Sequence, residues 1–524
     1  MKVRCVVKKL EFGKKLNKVS GAPKTRNAKA RVSLKPRSDY SLFELGALWW
    51  NMQNVPALSA NKSEIVDNEK DQSVFFRQGK SDKVAVNPRL LAVDLKGPMD
   101  FPIQNQEFNL SPLGIVDWIP GEHAASLSEE ISSISLGSCE FESNDFHEWK
   151  ALLNNKLHPK SLSTLNNVQG VNPVEKFNLF SQGMACVEKE DDLEYIENQI
   201  RFFVEESDYF QGFNILFDAD NGFGGVASKL LQLIKQEYST KMTFAVPLFP
   251  AHSTCESARR AERLTNLGLV VDALFEDSSM FSPVSLDPLW CSNNSRKFSE
   301  LHNLKPTSIY QAGAVIATAL DTIFFPLQAK KGSLLSLTDF VKKLTSDGRK
   351  AVGMSCAIPL WNRVSNLESL NSAFVEVTSV TPCVETFRDC WTQQLVWRGL
   401  PNTSDFQSLV DFWSRIQWKR TTTFNCVFRT PSSLVKPYPK FFLDSAKLVE
   451  DSSWSPSKIG PHFCTFGGLH SSVSLGHSLK YLHTELSKIE GRSLQKFFSS
   501  GLEQDDLLEN RDRIIGYAEL YEEN

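Results

Sequence analysis

Apolar residues recur along the chain with the periods of buried strands and amphipathic helices. The run FQGFNILFD ends at Asp218 and has the continuous apolar character of a strand buried on both faces. The next segment places Val226, Leu230 and Ile234 on one helical face and charged residues on the other. The run MTFAVPLFP (242–250) predicts another buried strand. A strand, a helix and a strand in this order predict a βαβ unit and a doubly wound parallel sheet.

The same patterns predict further elements on both sides of this unit. An apolar segment over 41–60 predicts a helix, with Trp49 and Trp50 in the core because large aromatic side chains dominate cores. We also predict strands at 90–93, 268–275, 322–327 and 351–360, and helices near 191–209, 255–267, 308–320, 336–346, 479–491, 493–500 and 503–522.

The connection Asn221-Gly222-Phe223-Gly224-Gly225 is a candidate phosphate-binding loop. Glycines allow the backbone to approach a ligand closely, and the first turn of a helix presents free N–H groups to an anion. Gly222, Gly224 and Gly225 are therefore candidate phosphate contacts, and Ser228 is a candidate hydroxyl donor. The glycine order is neither G-x-G-x-x-G nor a Walker loop with its lysine.

Three residues of this region argue against a phosphate. Asp218 and Asp220 would repel it unless a metal ion intervened, and Phe223 stands where a small residue would fit better. The alternative to a phosphate site is a tight connection between strand and helix that needs glycine for packing.

Composition and charge place the chain among ordinary globular proteins. Its 524 residues suffice for two to four domains, and 41% hydrophobic and 23% charged residues are typical values. We find no uninterrupted apolar run of membrane-spanning length and no signal-like segment near Met1. The ten cysteines are scattered without a zinc or redox spacing, which predicts a reduced, intracellular protein.

The net charge of −3 conceals a strongly basic start. Residues 1–40 hold thirteen Lys and Arg against Glu11 and Asp39, a balance of +11, so the remainder carries −14. We interpret 1–40 as a disordered, solvated arm. Contact with nucleic acid, an anionic membrane or an acidic partner, and a mitochondrial presequence, are the open alternatives. VRCVV (3–7) has the composition of a strand but stands far from the next predicted element.

Two further groups of polar residues contain histidine. His470, His477 and His483 have no ligand spacing typical of a metal site, and we interpret them as surface or capping residues. The segment His158-Pro159-Lys160-Ser161 predicts a turn. No G-x-S-x-G element supports nucleophilic catalysis.

Several segments resemble tubulins and occur in the tubulin order. They are 86–100, 208–250 and 499–523, and the resemblance spans about 41–524. The resemblance to the Misato family, a divergent branch of the tubulin superfamily, is closer. It is carried by GALWWNMQ (46–53), LAVDLKG (91–97), LHPKS (157–161), DYFQGF (208–213) and GAVIATALDT (313–322).

The resemblance implies a tubulin/FtsZ-like α/β fold. Its three-layer nucleotide-type domain with a parallel sheet would occupy 41–255, and 41–105 would form the part similar to Misato segment II. An α+β intermediate domain over 256–445 and a C-terminal helical region over 446–524 would follow.

The chain departs from tubulin where tubulin binds and hydrolyses nucleotide. The tubulin glycine signature GGGTGSG is here DNGFGG, one residue shorter. Lys96 replaces an acid near the tubulin magnesium, although Asp94 remains. The other departures are the missing Asn pair in 180–191, the unrecognisable guanine-reading region near 283–300 and the missing carboxylate in 306–317. Because a general base needs an acceptor and magnesium needs oxygen ligands, no catalytic or metal-binding residues are predicted, and we expect no enzymatic activity.

The resemblance to Misato implies a non-catalytic protein acting in mitochondrial distribution and morphology and in tubulin and spindle organisation. Its expected partners are tubulin, the tubulin-folding machinery or mitochondrial surface proteins, without nucleic acid and without a transmembrane segment. The implied location is the cytoplasm, with peripheral association to the mitochondrial outer surface. No cofactor is expected. The alternative is a slowly hydrolysing, GTP-binding polymer subunit, with Asp94, Gly222, Gly224, Gly225 and Ser228 as its degenerate nucleotide site.

Overall fold

The secondary structure comes from a computed structural model of the 524-residue chain. The structure describes residues 2–8, 41–53, 69–77, 87–95, 157–165, 177–188, 190–250, 257–287, 305, 307–330, 335–358, 366–400, 404–435, 438–439 and 459–522. Lys96 lies outside these residues, as do residues 288–300, part of the segment in which no guanine-reading region was recognised.

The strands of the described residues are numbered in chain order. They are β1 (Lys2–Lys8), β2 (Phe76–Arg77), β3 (Asn87–Pro88), β4 (Leu90–Leu95), β5 (Leu162–Leu165), β6 (Gly212–Asp218), β7 (Met242–Leu248), β8 (Met280–Phe281), β9 (Gly353–Ala357), β10 (Thr378–Ser379), β11 (Cys390–Arg398), β12 (Thr422–Phe428), β13 (Ser432–Val435), β14 (Ile459–Phe463) and β15 (Thr465–Ser472).

The α-helices are numbered in the same way. They are α1 (Ser41–Gln53), α2 (Phe180–Val187), α3 (Glu190–Glu205), α4 (Gly222–Glu237), α5 (Ser257–Asp277), α6 (Ile309–Phe324), α7 (Leu337–Leu344), α8 (Leu367–Val375), α9 (Ser404–Gln417), α10 (Val473–Ser487), α11 (Gln495–Ser499) and α12 (Gln504–Glu519). Short 3-10 turns occupy Gln72–Val74, Pro159–Ser161, Phe325–Gln328 and Gly491–Leu494.

A six-stranded sheet carries the first half of the fold. Its order is β5-β4-β1-β6-β7-β8, and every pair in it is parallel. All seven residues of β6 are buried, as expected for a strand covered by helices on both faces. The parallel sheet predicted from the strand–helix–strand pattern is therefore confirmed.

Strand β1 changes the interpretation of the N-terminal segment. Lys2–Lys8 pairs with β4 on one side and β6 on the other, at the centre of the sheet. For these residues the prediction of a disordered arm over 1–40 was wrong. VRCVV has the composition of a strand, and its long separation in sequence from β4 and β6 does not prevent pairing because loop closure costs little per added residue.

A second sheet has the order β10-β9-β15-β11-β12, with only β11 and β12 parallel. Helix α6 lies between the two sheets. Phe324 of α6 contacts Phe244 of β7, with ring centroids 5.4 Å apart. On the opposite side, a Cβ atom added to Gly467 of β15 would lie 2.9 Å from Ile323. Trp49 and Trp50 of α1 are buried in the same core, which confirms their predicted place.

The position of α6 also explains its composition. Within the described part of the chain, Ile309–Gln328 is the one helical segment long and apolar enough to cross a membrane, and 83% of it is buried inside the protein. The apolar residues of α6 therefore pack against both sheets and against α1.

Two predicted strands are helical in the structure. The segment 268–275 belongs to α5, where Leu267, Val270, Val271 and Leu274 are buried at helical spacing. The segment 322–327 forms the end of α6 and the following 3-10 turn. Both predictions were wrong because a short apolar run has the same composition in a strand as in a buried part of a helix.

A cluster of buried charges joins the two halves of the fold. Asp321 of α6 accepts hydrogen bonds from Gln53 at 2.7 Å, from Lys70 at 3.3 Å and from Arg398 of β11. Ser432 contributes a longer bond of 3.4 Å. Lys70, Asp321 and Arg398 are exposed by 5%, 2% and 3%. Four distant parts of the chain therefore meet at one carboxylate.

The charged groups of this cluster shift one another's pKa values. Burial lowers the pKa of Lys70, while Asp321 opposes that effect and Arg398 adds to it. Burial alone would raise the pKa of Asp321, but Lys70 and Arg398 together lower it. The carboxylate is thus held ionised by two buried cations, and it in turn opposes the loss of the Lys70 proton.

The histidine predictions are only partly correct. His470 is fully buried in β15 and contacts Phe387 with tilted rings whose centroids are 4.7 Å apart, so its interpretation as a surface or capping residue was wrong. The alternation of buried and exposed residues expected for a strand is lost there because all eight residues of β15 are buried. His477 is exposed, as predicted, and His158 caps the predicted turn at Pro159–Ser161.

Because the imidazole of His470 is buried, we predict that acid destabilises the folded protein. Burial lowers the pKa of His470 from 6.5 to about 4. The unfolded chain therefore binds this proton more readily, and stability is lost as pH falls from 6.5 towards 4. In urea unfolding, we expect the wild type to lose about 2 kcal/mol more than His470→Leu between pH 7 and pH 5. His477→Leu controls for loss of a histidine as such. Equal losses in all three proteins would contradict the prediction.

Candidate functional site

The predicted nucleotide residues lie at one edge of the parallel sheet. Asp94 is near the C-terminal end of β4, and β6 ends at Asp218, directly before the glycine segment. Strand β1 separates β4 from β6, so these two carboxylates stand two strand spacings apart, roughly 10 Å. Ligands of doubly wound sheets bind at this edge. The sheet therefore brings the predicted residues to the expected side of the fold.

Helix α4 begins inside the glycine segment, and its first N–H groups are already bonded. Gly222 N–H donates to the carbonyl of Phe177 at 3.2 Å, and Gly224 N–H donates to the carbonyl of Asn221 at 3.0 Å. Phe223 N–H donates to the side-chain oxygen of Asn221, the N-cap, at 2.9 Å. Three of the four donors that a helix N-terminus offers to an anion are thus satisfied by protein.

The glycines of this segment allow close packing against neighbouring groups. A Cβ atom on Gly222 would lie 2.6 Å from the ring of Phe177. A Cβ atom on Gly225 would lie 2.0 Å from the carbonyl oxygen of Phe180, at the start of α2. On the facing helix, a Cβ atom on Gly183 of α2 would lie 1.7 Å from the carbonyl oxygen of Gly222. The two helix backbones touch, and only glycine fits between them.

The remaining predicted residues of the segment also make internal contacts. Gly224 faces Val270 of α5, whose Cγ2 atom would lie 2.5 Å from an added Cβ atom. Ser228 donates its hydroxyl hydrogen to the Gly224 carbonyl at 2.9 Å. Phe223 is fully buried and meets Phe177 edge to face, with centroids 5.1 Å apart. Aromatic packing therefore covers the start of α4.

Asp220, directly before the glycine segment, has a cationic partner within the protein. Arg263 of α5 contacts Asp220 at 2.8 Å and Asp287 at 3.7 Å, and its guanidinium lies 4.3 Å from the ring centroid of Phe249. All three charged side chains are almost completely buried. The charge balance that a bound metal ion would otherwise supply is provided here by an arginine.

An asparagine fixes the covering segment in place. Asn266 of α5 accepts a hydrogen bond from Phe180 N–H at 2.8 Å and donates to the carbonyls of Asn178 and of Asp220. Asn266 is fully buried. One side chain thus ties the chain before α2 to the glycine segment.

Phe177, Gly183, Arg263 and Asn266 were not identified from the sequence. Gly183 carried a weak signal, a glycine inside a helical pattern. The other three carried none, because their partners are distant in sequence and only the packing of α2 and α5 on α4 brings them together.

One small cavity lies near this edge of the sheet. A mostly apolar cavity of about 30 Å³ lies between the start of α6, α1 and the end of β7. It is lined by Leu45, Leu248, Phe249, Pro250, Val284, Ser285, Leu286, Ile309, Ala312, Gly313 and Ile316. This volume suits one or two water molecules. This cavity is too small for a nucleoside triphosphate.

Two of the segments in which the sequence departs from tubulin form regular helices. Residues 180–187 form α2, packed on α4, and 309–317 form the first turns of α6, where no acid stands. Among the described residues, no group of three or more His, Cys, Asp or Glu side chains is placed to hold a metal ion.

Comparisons with known proteins agree with the resemblance found in the sequence. A family model described as a tubulin domain matches residues 140–329. This match and the wholly parallel sheet confirm the predicted tubulin-like α/β fold.

Curated relatives match over nearly the whole chain. Protein misato homolog 1 of Mus musculus is 25% identical, with 91% of this chain and 96% of the relative covered. Protein misato of Drosophila melanogaster is 24% identical with the same coverage. Protein DML1 of Phaeosphaeria nodorum is 28% identical over 210 residues, covering 38% of this chain and 39% of the relative.

Proposed function

Because the chain belongs to the Misato family of the tubulin superfamily, we propose that it is a non-catalytic tubulin-like protein that acts through protein contacts. Its proposed role is in mitochondrial distribution and morphology and in tubulin and spindle organisation. The proposed location is the cytoplasm, with peripheral association to the mitochondrial outer surface. The proposed partners are tubulin, its folding machinery or mitochondrial surface proteins.

One observation supports the absence of catalysis most directly. The N–H groups that begin α4 bond to Phe177 and to Asn221. Phosphate binding at a helix N-terminus depends on free N–H groups and on glycines that face the ligand. Here the glycines face α2, the Phe177 ring and α5 instead. Binding a phosphate would require these contacts to separate, and no compensating donor is available from the glycine segment.

Equilibrium binding of labelled GTP to the full chain, with and without magnesium, tests this proposal. We expect no saturable binding up to roughly 1 mM, which corresponds to less than about 4 kcal/mol of binding free energy. The rival function, a slowly hydrolysing GTP-binding subunit, predicts magnesium-dependent saturation and turnover. Turnover at a tubulin-like rate that is lost in Asp94→Ala would refute the non-catalytic proposal.

A cellular complementation experiment tests the proposed role itself. Cells depleted of the endogenous protein should regain normal mitochondrial distribution when they express the wild-type chain. Asp94→Asn should restore it equally, because the proposal assigns no nucleotide chemistry to this carboxylate. Failure of the wild-type chain to restore mitochondrial distribution would contradict the role. Failure of Asp94→Asn alone, at equal protein level, would favour the rival.

A further inference from the structure

A groove distant from the glycine segment opens between α5, α10 and α12. Its volume is about 160 Å³. It is lined by Thr265, Leu486, Ile489, Gly491, Leu494, Phe498, Gln504, Leu507, Asn510 and Arg511. Gly268 of α5 permits this arrangement, since an added Cβ atom would lie 2.9 Å from Leu486 and 3.1 Å from Asn510.

The lining of the groove is chemically divided. Five of its residues are large and apolar, and four others present polar side chains. No acidic residue belongs to the lining, and Arg511 is its one charged residue. Arg511 is half-buried, and within the described part of the chain it forms no ion pair, unlike Arg513 two residues later, which contacts Asp272 at 2.7 Å.

The walls of the groove are held by contacts within the protein. Asn510 donates to the Gly268 carbonyl at 3.2 Å, and Thr265 donates to the Ala261 carbonyl at 2.9 Å. Lys496, on the short helix α11, pairs with Glu262 of α5. The groove is therefore preformed, and its unpaired cation stands beside an apolar surface, an arrangement suited to a ligand with an apolar body and an anionic end.

We propose that this groove binds a small amphipathic carboxylic acid. The apolar group would occupy the space between Leu486, Leu494 and Leu507, and the carboxylate would pair with Arg511. A dry apolar cavity of about 150 Å³ accommodates benzene, so a phenyl ring or a branched alkyl group matches the volume. A guanidinium bonds a carboxylate through two parallel N–H groups, which favours this head group over a neutral one. This inference goes beyond the proposed function and does not depend on it.

The proposal is tested with three ligands that differ only in the head group. Binding of 3-phenylpropionate, 3-phenylpropanol and 3-phenylpropylamine to the full chain is followed by NMR or calorimetry. We expect 3-phenylpropionate to bind, the alcohol to bind about tenfold more weakly and the amine more weakly still, since a bond to a charged group is worth a factor of about ten or more. Equal binding of the acid and the alcohol would overturn the proposal.

Two variants locate the site. Arg511→Gln should weaken binding of 3-phenylpropionate about tenfold and leave binding of the alcohol unchanged. Leu494→Phe, which reduces the cavity, should weaken both ligands. Arg492→Gln is the matched control, because Arg492 is an exposed cation of the neighbouring turn outside the lining. Thermal unfolding of each variant confirms folding. Unchanged acid binding in folded Arg511→Gln, or no acid binding by the wild type at roughly 10 mM, would reject the site.

Discussion

Replacing Asp321 by alanine is expected to destabilise the protein by about 3–5 kcal/mol. The carboxylate accepts hydrogen bonds from Lys70 and Arg398, and all three side chains are buried. Without it, two cations remain close together in the core with no compensating charge. Lys70, whose pKa is already lowered by burial, would release its proton, whereas the arginine would stay charged and drive local opening.

Urea unfolding of the wild type and of Asp321→Ala measures this difference in the free energy of unfolding. Glu522→Ala is the matched control, because Glu522 and Lys480 form an ion pair in which both side chains are about half exposed. Exposed pairs contribute less than about 1 kcal/mol. A loss of the same size in Asp321→Ala and Glu522→Ala would show that the buried cluster does not hold the two sheets together.

Replacing Gly225 by alanine is expected to destabilise the protein by about 3 kcal/mol or more. The added methyl group would lie 2.0 Å from the carbonyl oxygen of Phe180 and 2.8 Å from Met184 N. Both obstacles are backbone atoms, so no side-chain rotation relieves the clash, and α2 must move away from α4. The phosphate-loop interpretation predicts instead a folded protein with altered nucleotide binding.

The chain contains a suitable control for this substitution. Gly516 lies within α12, and no atom stands within 4 Å of its added Cβ position. Gly516→Ala should stabilise the protein by about 0.5–1 kcal/mol, since alanine has the higher helix propensity. Opposite signs of the two changes in urea unfolding would support packing as the role of Gly225. An unchanged midpoint in Gly225→Ala would contradict the close contact of α2 and α4.

The elements that the sequence predicted correctly have strong local signals. The strand–helix–strand unit from β6 to β7 was identified because its apolar runs have distinct periods and because Gly222–Gly225 mark the connection. The segments 268–275 and 322–327 were misassigned as strands because both are short apolar runs, in which composition does not separate a strand from a helix. Strand β1 was not assigned, although VRCVV has the composition of a strand, because its partners β4 and β6 are distant in sequence.

The sequence by itself determined the superfamily, the parallel sheet and the place of Asp94 and the glycine segment at one edge of it. These follow from patterns within short segments and from the order of several motifs. Only the tertiary structure decided what the glycines do. Whether Gly222 and Gly225 face a ligand or another helix depends on the packing of α2, and whether Asp220 needs a metal ion depends on Arg263, 43 residues away in sequence. Contacts between distant segments carry no local pattern, so the sequence left both roles open.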